Sequence, residues 1–161
     1  VETGRQNLPP GAQATLDKVR TLAPGMPARP DAILAEEAAL IAALKQAGYA
    51  TARADARRVI GDREAGTLDL TFQIIPGPRI LLGDVVYPSD TRTRREYLRR
   101  LISFQHGDVY TPQQLATLNR RLNATRNYRF VSVQLADTTS ETMPNGDEVR
   151  NIQVQRDERA R

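Results

Sequence analysis

Gly107-Asp108-Val109-Tyr110-Thr111-Pro112-Gln113-Gln114-Leu115-Ala116-Thr117-Leu118-Asn119-Arg120-Arg121-Leu122 decides the fold, because its landmarks occur twice. Gly107, Pro112, Leu115 and Leu122 each stand 82 residues after Gly25, Pro30, Ile33 and Leu40. Both copies run from a glycine through a short stretch to a proline, then into an amphipathic helix pattern, an aromatic residue and an alternating strand. The aromatic is Tyr49 in the first copy, and Tyr128 and Phe130 in the second. A repeat this long is a small domain, since ~80 residues can just close one hydrophobic core. The chain of 161 residues therefore reads as a tandem pair.

Working outward in the first copy, Leu16, Val19 and Leu22 predict a short helix over 12–22, after the Pro9-Pro10-Gly11 punctuation. Ile33, Leu40, Ile41 and Leu44 predict a longer one, with Asp31 as its cap and Gly48 as its stop. From Ala50 to Arg57 the chain alternates strictly, alanines on one face and Thr51, Arg53, Asp55 and Arg57 on the other, which predicts a half-buried strand. Across a polar turn at 61–66, Leu68, Leu70, Phe72 and Ile74 complete a hairpin. The second copy adds an opening strand at Ile80 to Tyr87. Two helices follow, over 94–103 and, capped by Thr111 with Pro112 at its first position, 112–124. Strands over 130–136 and 149–155 flank a loop containing Asn145-Gly146. The order strand, helix, helix, strand, strand packs most simply as a three-stranded mixed sheet covered on one face by two helices. The corresponding first strand of module one falls across or before Val1, so that strand is expected to be largely truncated, with the natural protein continuing upstream.

Composition excludes several classes. There is no cysteine, so neither disulfides nor thiolate chemistry is available, and no apolar run approaches the ~20 residues of a membrane-spanning helix. His106 is the single histidine, without a partner for a metal site or a triad, and reads as a turn residue. Carboxylate pairs such as Glu36-Glu37 and Asp147-Glu148 are adjacent, so their side chains diverge. No phosphate-cradling string occurs. The reading is of a protein that is not an enzyme and has no catalytic, cofactor or metal site. Lysine and arginine exceed acidic residues by 10 to 9 over residues 1–79 and by 13 to 10 over residues 80–161, which places most of the basic excess in the second module. Arginines at 92, 94, 95, 99, 100, 120 and 121 suit an anionic lipid surface. They lack the interleaved aromatics of a nucleic-acid binder, which remains the rival reading together with an unrelated basic adaptor pair.

The module order, the junction Pro76-Gly77-Pro78-Arg79 running into Ile80-Leu81-Leu82-Gly83, and Gly48-Tyr49 before the second strand together resemble POTRA domains. These are the periplasmic repeats of outer-membrane assembly and secretion proteins. Within that superfamily, Gly77-Pro78-Arg79 followed by Leu82-Gly83-Asp84-Val85-Val86 most resembles the translocation and assembly module branch, the TamA type. BamA-like proteins and two-partner secretion transporters share the module order. The resemblance implies an α+β fold, with residues 1–79 a penultimate POTRA domain and 80–161 the last one before a barrel. It also implies a location on the periplasmic side of the bacterial outer membrane and a monomeric fragment. The implied partners are outer-membrane protein or autotransporter clients and a TamB-like, inner-membrane-anchored protein. The implied means is β-augmentation, a client strand adding to a sheet edge. The second strand of each module is then the expected edge: Thr51, Arg53, Asp55 and Arg57 in the first, Val131, Val133 and Leu135 in the second. Pro76, Gly77, Pro78 and Arg79 form the expected hinge, stiffened by two prolines.

Overall fold

The computed structural model describes residues 8–89, 94–125 and 131–156. The chain divides into two compact units, Val1–Gly77 and Pro78–Arg161.

In the first unit, helix α1 spans Pro10–Val19 and α2 spans Pro30–Gln46. Helix α1 stops three residues short of the expected Leu22, and the cause is a side chain on α2. Glu36, 4% exposed, accepts the backbone N–H of Thr21 at 2.9 Å, the Thr21 hydroxyl at 2.5 Å and, at 3.4 Å, the Leu22 N–H. Residues 20–22 are thereby drawn into an extended path across α2. Burial alone pushes the Glu36 carboxyl up. The Thr21 hydroxyl, the Thr21 and Leu22 amides and the nearby Arg20 charge together outweigh it and hold the group below its ordinary value of 4.5. Asp31 does not cap α2 as expected; the N-cap is Arg29, because Pro30 fits the first helical position and leaves Asp31 in the first turn, where its charge suits the helix dipole. Helix α2 ends at Gln46 with Ala47 as its C-cap, and the φ of 103° at the following Gly48 lets Tyr49 N–H reach back to Leu44 C=O at 3.0 Å.

Strands β1 (Arg53–Asp62) and β2 (Thr67–Ile75) form the antiparallel hairpin. Leu70, Phe72 and Ile74 of β2 are buried beside Ala12, Leu16, Leu40, Leu44 and Tyr49. Strand β1 departs from the strict alternation of its sequence. Its register slips between Asp55 and Arg58, so Ala54 is half-buried while Ala56 is exposed. Beyond the slip the strand is exposed throughout and carries Val59 and Ile60 into solvent, 52% and 49% exposed. The opening strand expected across or before Val1 falls outside the described residues.

In the second unit, β3 (Ile80–Val86), β6 (Glu148–Arg156) and β4 (Val131–Leu135) lie in the order β3-β6-β4, parallel then antiparallel. A two-residue strand β5 (Glu141–Thr142), formed within the expected loop, also pairs with β6, so four strands stand where three were expected. Helix α3 (Arg95–Leu101) contributes Leu98, and α4 (Pro112–Ala124) contributes Leu115, Leu118 and Leu122, against Leu82, Ile152 and Val154. The start of α4 is locked by a Thr111/Gln114 capping box. Gly83 is buried on β3, and a Cβ there would come within 2.4 Å of Asn151 Oδ1 and 3.1 Å of Arg150 C=O, so only glycine lets β3 lie this close to β6. Strand β3 has a second neighbour. Leu82 N–H donates to Asp108 C=O, Gly107 N–H donates to Leu82 C=O, both at 2.7 Å, and Tyr110 N–H donates to Ile80 C=O at 2.9 Å. The segment 107–110 thus clamps β3 on the side away from β6.

Candidate functional site

The candidate edges differ from each other in what they offer. In the first unit, Thr51 is not on the strand. It lies in the turn before β1, and a Cβ on Gly77 would fall within 2.4 Å of its Oγ1, so Thr51 packs at the end of the unit rather than lining an edge. Arg53 and Asp55 are on β1 and exposed, with Asp55 accepting the Ala56 N–H at 3.2 Å. Arg57 does not share their face. The register slip turns it toward α2, where its Nη1 meets Glu37 Oε1 at 2.7 Å. Four residues read as one row are therefore divided among a turn, a solvent face and a helix contact.

The second unit is more regular. Strand β4 ends the sheet, and β6 lies between it and β3. In an antiparallel ladder, backbone groups of alternate residues point to the partner and away from it. Ala136 N–H bonds Asn151 C=O at 2.8 Å, which assigns the even-numbered residues to the partner side. Val131, Val133 and Leu135 then turn their N–H and C=O groups outward. Val131 is already engaged: Asn123 Oδ1 accepts its N–H at 3.2 Å and Asn119 Nδ2 donates to its C=O at 3.1 Å. These asparagines, one turn apart on α4, hold the start of β4 and satisfy its first outward pair. Val133 and Leu135 carry the remaining outward groups of the strand. The side chains flanking them, Ser132 and Gln134, are uncharged and exposed. Lysine, proline and irregularity, the usual protections of an edge, are missing from this strand.

Sequence reasoning missed the two asparagines. Their spacing of four residues on a helix was visible, as was the strand; that this face of α4 passes the start of the strand was not.

The junction residues are fastened individually. Gly77, with φ 68°, abuts Thr51 within the first unit. Arg79 is held within the second, its Nε and Nη2 donating to Asp147 Oδ2 at 3.1 and 2.7 Å and its C=O accepting the Glu148 N–H at 2.9 Å. Pro78 alone stands between two anchored residues, and Pro76 precedes them at the end of β2.

Among the described residues no cluster of histidine and acidic side chains could hold a metal ion, and no helix is long and apolar enough to cross a membrane. Of the arginine clusters, Arg95 and Arg99 of α3 line a cavity of about 480 Å³ with Asp84, Tyr87 and Ile102, whereas Arg121 donates to the Leu101 C=O at 3.0 Å. Arg92 lies outside the described residues, as do Tyr128 and Phe130.

Residues 80–157 match the sequence model of the POTRA family, described as a surface antigen variable number repeat. Solved structures share the fold along nearly the whole chain. POTRA domains 3–5 of BamA from Haemophilus influenzae are 20% identical, with a TM-score of 0.57 over 91% of this chain and 54% of that one. BamA from Haemophilus ducreyi lacking POTRA domains 1–3 is 21% identical, with a TM-score of 0.64 over 99% of this chain and 28% of that one. POTRA domains 1–2 of the periplasmic domain of Omp85 from Anabaena are 13% identical, with a TM-score of 0.50 over 97% of this chain and 91% of that one. The chain thus spans about half of the first of these structures and little more than a quarter of the second. The α+β class read from the repeat is the class found. Residues 80–157 carry the sequence pattern of the POTRA family, and the chain as a whole has the fold of the POTRA domains of BamA and Omp85.

Proposed function

We propose that this chain is a periplasmic receiver region of an outer-membrane protein assembly factor, and that it takes up extended segments of client or partner proteins by strand addition to the outer edge of β4. The observation that carries this reading is the pair of outward-facing, uncharged positions Val133 and Leu135 on a strand that ends its sheet. Main-chain hydrogen bonds at such an edge are largely indifferent to the sequence of the added strand, which suits a receiver of many clients. The Gly77-Pro78-Arg79 and Leu82-Gly83-Asp84 signature supports the TamA-type branch, with autotransporters among the clients and a TamB-like protein as partner. Both glycines of that signature meet a close contact and Arg79 is anchored, so these residues have defined structural work in this chain. Domains bounded at 79/80 and bending confined to residues 76–79 belong to the same proposal.

The test is an amide NMR titration with peptides copied from outer-membrane β-strands, at low and high salt, on the native chain and on Val133→Pro. Proline at 133 removes an outward N–H and no bond to β6, and edge strands tolerate it. Shifts centred on 132–136 that persist in salt and weaken at least fivefold in the folded variant support strand addition. Equal affinity in the folded variant refutes it, as do shifts confined to α3 that vanish in salt, which assign the contact to the arginines instead.

A further inference from the structure

Val131 is bonded by side chains in the way another strand would bond it. Its N–H donates to Asn123 Oδ1 at 3.2 Å and its C=O accepts from Asn119 Nδ2 at 3.1 Å. Two carboxamides thus supply the acceptor and the donor that one residue of a neighbouring strand supplies. Neither is loose. Asn123 Nδ2 donates to Asn119 Oδ1 at 2.6 Å and to the Asn119 C=O, one turn back on α4, at 3.0 Å. These bonds turn the Asn123 oxygen toward the strand N–H and the Asn119 nitrogen toward the strand C=O. Helix α4 therefore closes the outer edge of β4 at its first residue.

The other end is closed as well. The edge runs along β6 as far as Ala136, opposite Asn151, and pairing resumes at β5 with Glu141 opposite Val149. Residues 137–140 stand there against the single residue Arg150, and this bulge carries the chain out of the ladder. The bulge is pinned. Ser140 N–H and Oγ both donate to Val149 C=O, at 2.8 and 3.0 Å, and the Thr139 hydroxyl donates to Glu148 Oε2 at 2.7 Å. Between the asparagines and the bulge, the outward N–H and C=O groups are those of Val133 and Leu135.

We infer that this edge is a bounded slot, which accepts one short extended segment of another polypeptide in a single register, with aliphatic residues at i and i+2 set opposite Val133 and Leu135. The inference rests on the reading of β4 as a strand acceptor and adds to it a length, a register and a side-chain class. Directly paired residues share a face of a sheet. Val133 and Leu135 are half-buried and pack against the core that contains Leu118, Leu122 and Ile152, so the two occupant side chains beside them extend an apolar face. The residue between them falls on the face of the exposed Ser132 and Gln134, where a polar side chain stays in water. Three extended residues span ~10 Å. The occupant leaves the sheet at both ends, so a loop or an unfolded stretch supplies it as well as a long strand does.

The probes are two end-capped peptides, Thr-Val-Thr-Val-Thr and Thr-Val-Thr-Val-Thr-Val-Thr, titrated into the whole chain and followed by amide NMR. Both are expected to shift residues 132–136 saturably, with affinities within about twofold of each other, since the longer peptide gains only a second way of placing two valines in the same slot. In Asn119→Ala/Asn123→Ala the Val131 groups are released. The longer peptide is then expected to bind about tenfold more tightly than the shorter, through two more hydrogen bonds. Aspartate in place of both valines of the shorter peptide is expected to abolish binding. A marked preference for the longer peptide in the native chain, no preference in the folded variant, or equal binding of the aspartate peptide would each overturn the bounded slot while leaving strand addition standing. Should the variant not fold, the native-chain comparison decides alone. No shifts along β4 with either peptide would overturn the receiver reading itself, and the slot with it. Broadening of 132–136 with rising protein concentration in the absence of peptide would overturn the slot by making a second copy the occupant.

Discussion

Replacing Glu36 by glutamine keeps the shape of a buried side chain and removes its charge, and the consequence can be worked from three hydrogen bonds. At neutral pH the carboxylate accepts the Thr21 amide at 2.9 Å and the Thr21 hydroxyl at 2.5 Å; the Leu22 contact at 3.4 Å adds little. Bonds to a charged acceptor contribute ~1.5–3 kcal/mol and neutral ones ~0.5–1.5 kcal/mol, so downgrading two of them costs about 2 kcal/mol. Glutamine can still accept the amide with its oxygen, and its NH2 group can donate to the hydroxyl, which keeps the loss from being larger. The charge also sets the pH dependence. Because folding holds the Glu36 pKa below 4.5, its contribution is fully present above 4.5 and is lost as pH falls through the lower folded value. Glu36→Gln should therefore differ from the native chain by about 2 kcal/mol at pH 7 and by little once both side chains are neutral. Urea unfolding followed through amide signals of each unit separately measures this, with the second unit as internal control. A difference below ~0.5 kcal/mol at pH 7, or one unchanged at pH 3, would refute the reasoning.

Three further substitutions test other joints of the structure. Gly83→Val inserts a side chain against Asn151 Oδ1 and the Arg150 carbonyl and should cost ~3 kcal/mol or more in the second unit, read by thermal unfolding; a loss under 1 kcal/mol would show that β3 can move off β6 freely. Asn123→Ala frees the N–H of Val131, and hydrogen exchange should accelerate at Val131 more than at Val133; equal protection would mean that the asparagine clamp is not what holds the strand start. Asp147→Ala removes the acceptor of two Arg79 bonds and one Asn145 bond. With Arg79 partly exposed, the expected cost is about 1–2 kcal/mol, measured by urea unfolding of the second unit, and a neutral result would make the ion pair ornamental.

The sequence made the architecture legible where periodicity was strong. The leucine spacing of α2 and α4 and the alternation of Leu68 to Ile74 led to the observed elements, and the repeat of Gly25 at Gly107 located a real backbone turn. It was silent where long-range bonds override local pattern. The early end of α1 depends on Glu36, a residue fourteen or more positions downstream of the amides it accepts. One signal existed: the repeat puts Leu118 at the corresponding place, and a carboxylate where its copy has a buried leucine must be satisfied by something. The slip in β1 was invisible, since alternating alanine and polar residues describe either register equally well. Edge positions on β4 were readable from alternation, whereas the engagement of Val131 required knowing that α4 passes its end.

The ion pair between Arg79 and Asp147 joins residues 68 apart, and the parallel pairing of β3 with β6 begins beside it. Contacts of such separation are reached late in folding, because the chain entropy of closing a long loop must be met before they stabilise anything. The hairpin of the first unit, by contrast, pairs neighbours across a turn of a few residues. The second unit therefore has an ordering built into it: α4 and the antiparallel strands can assemble among themselves, while β3 docks last. During that interval β6 presents an unfilled flank to passing segments, so the speed with which β3 arrives sets how long a newly made second unit can mispair.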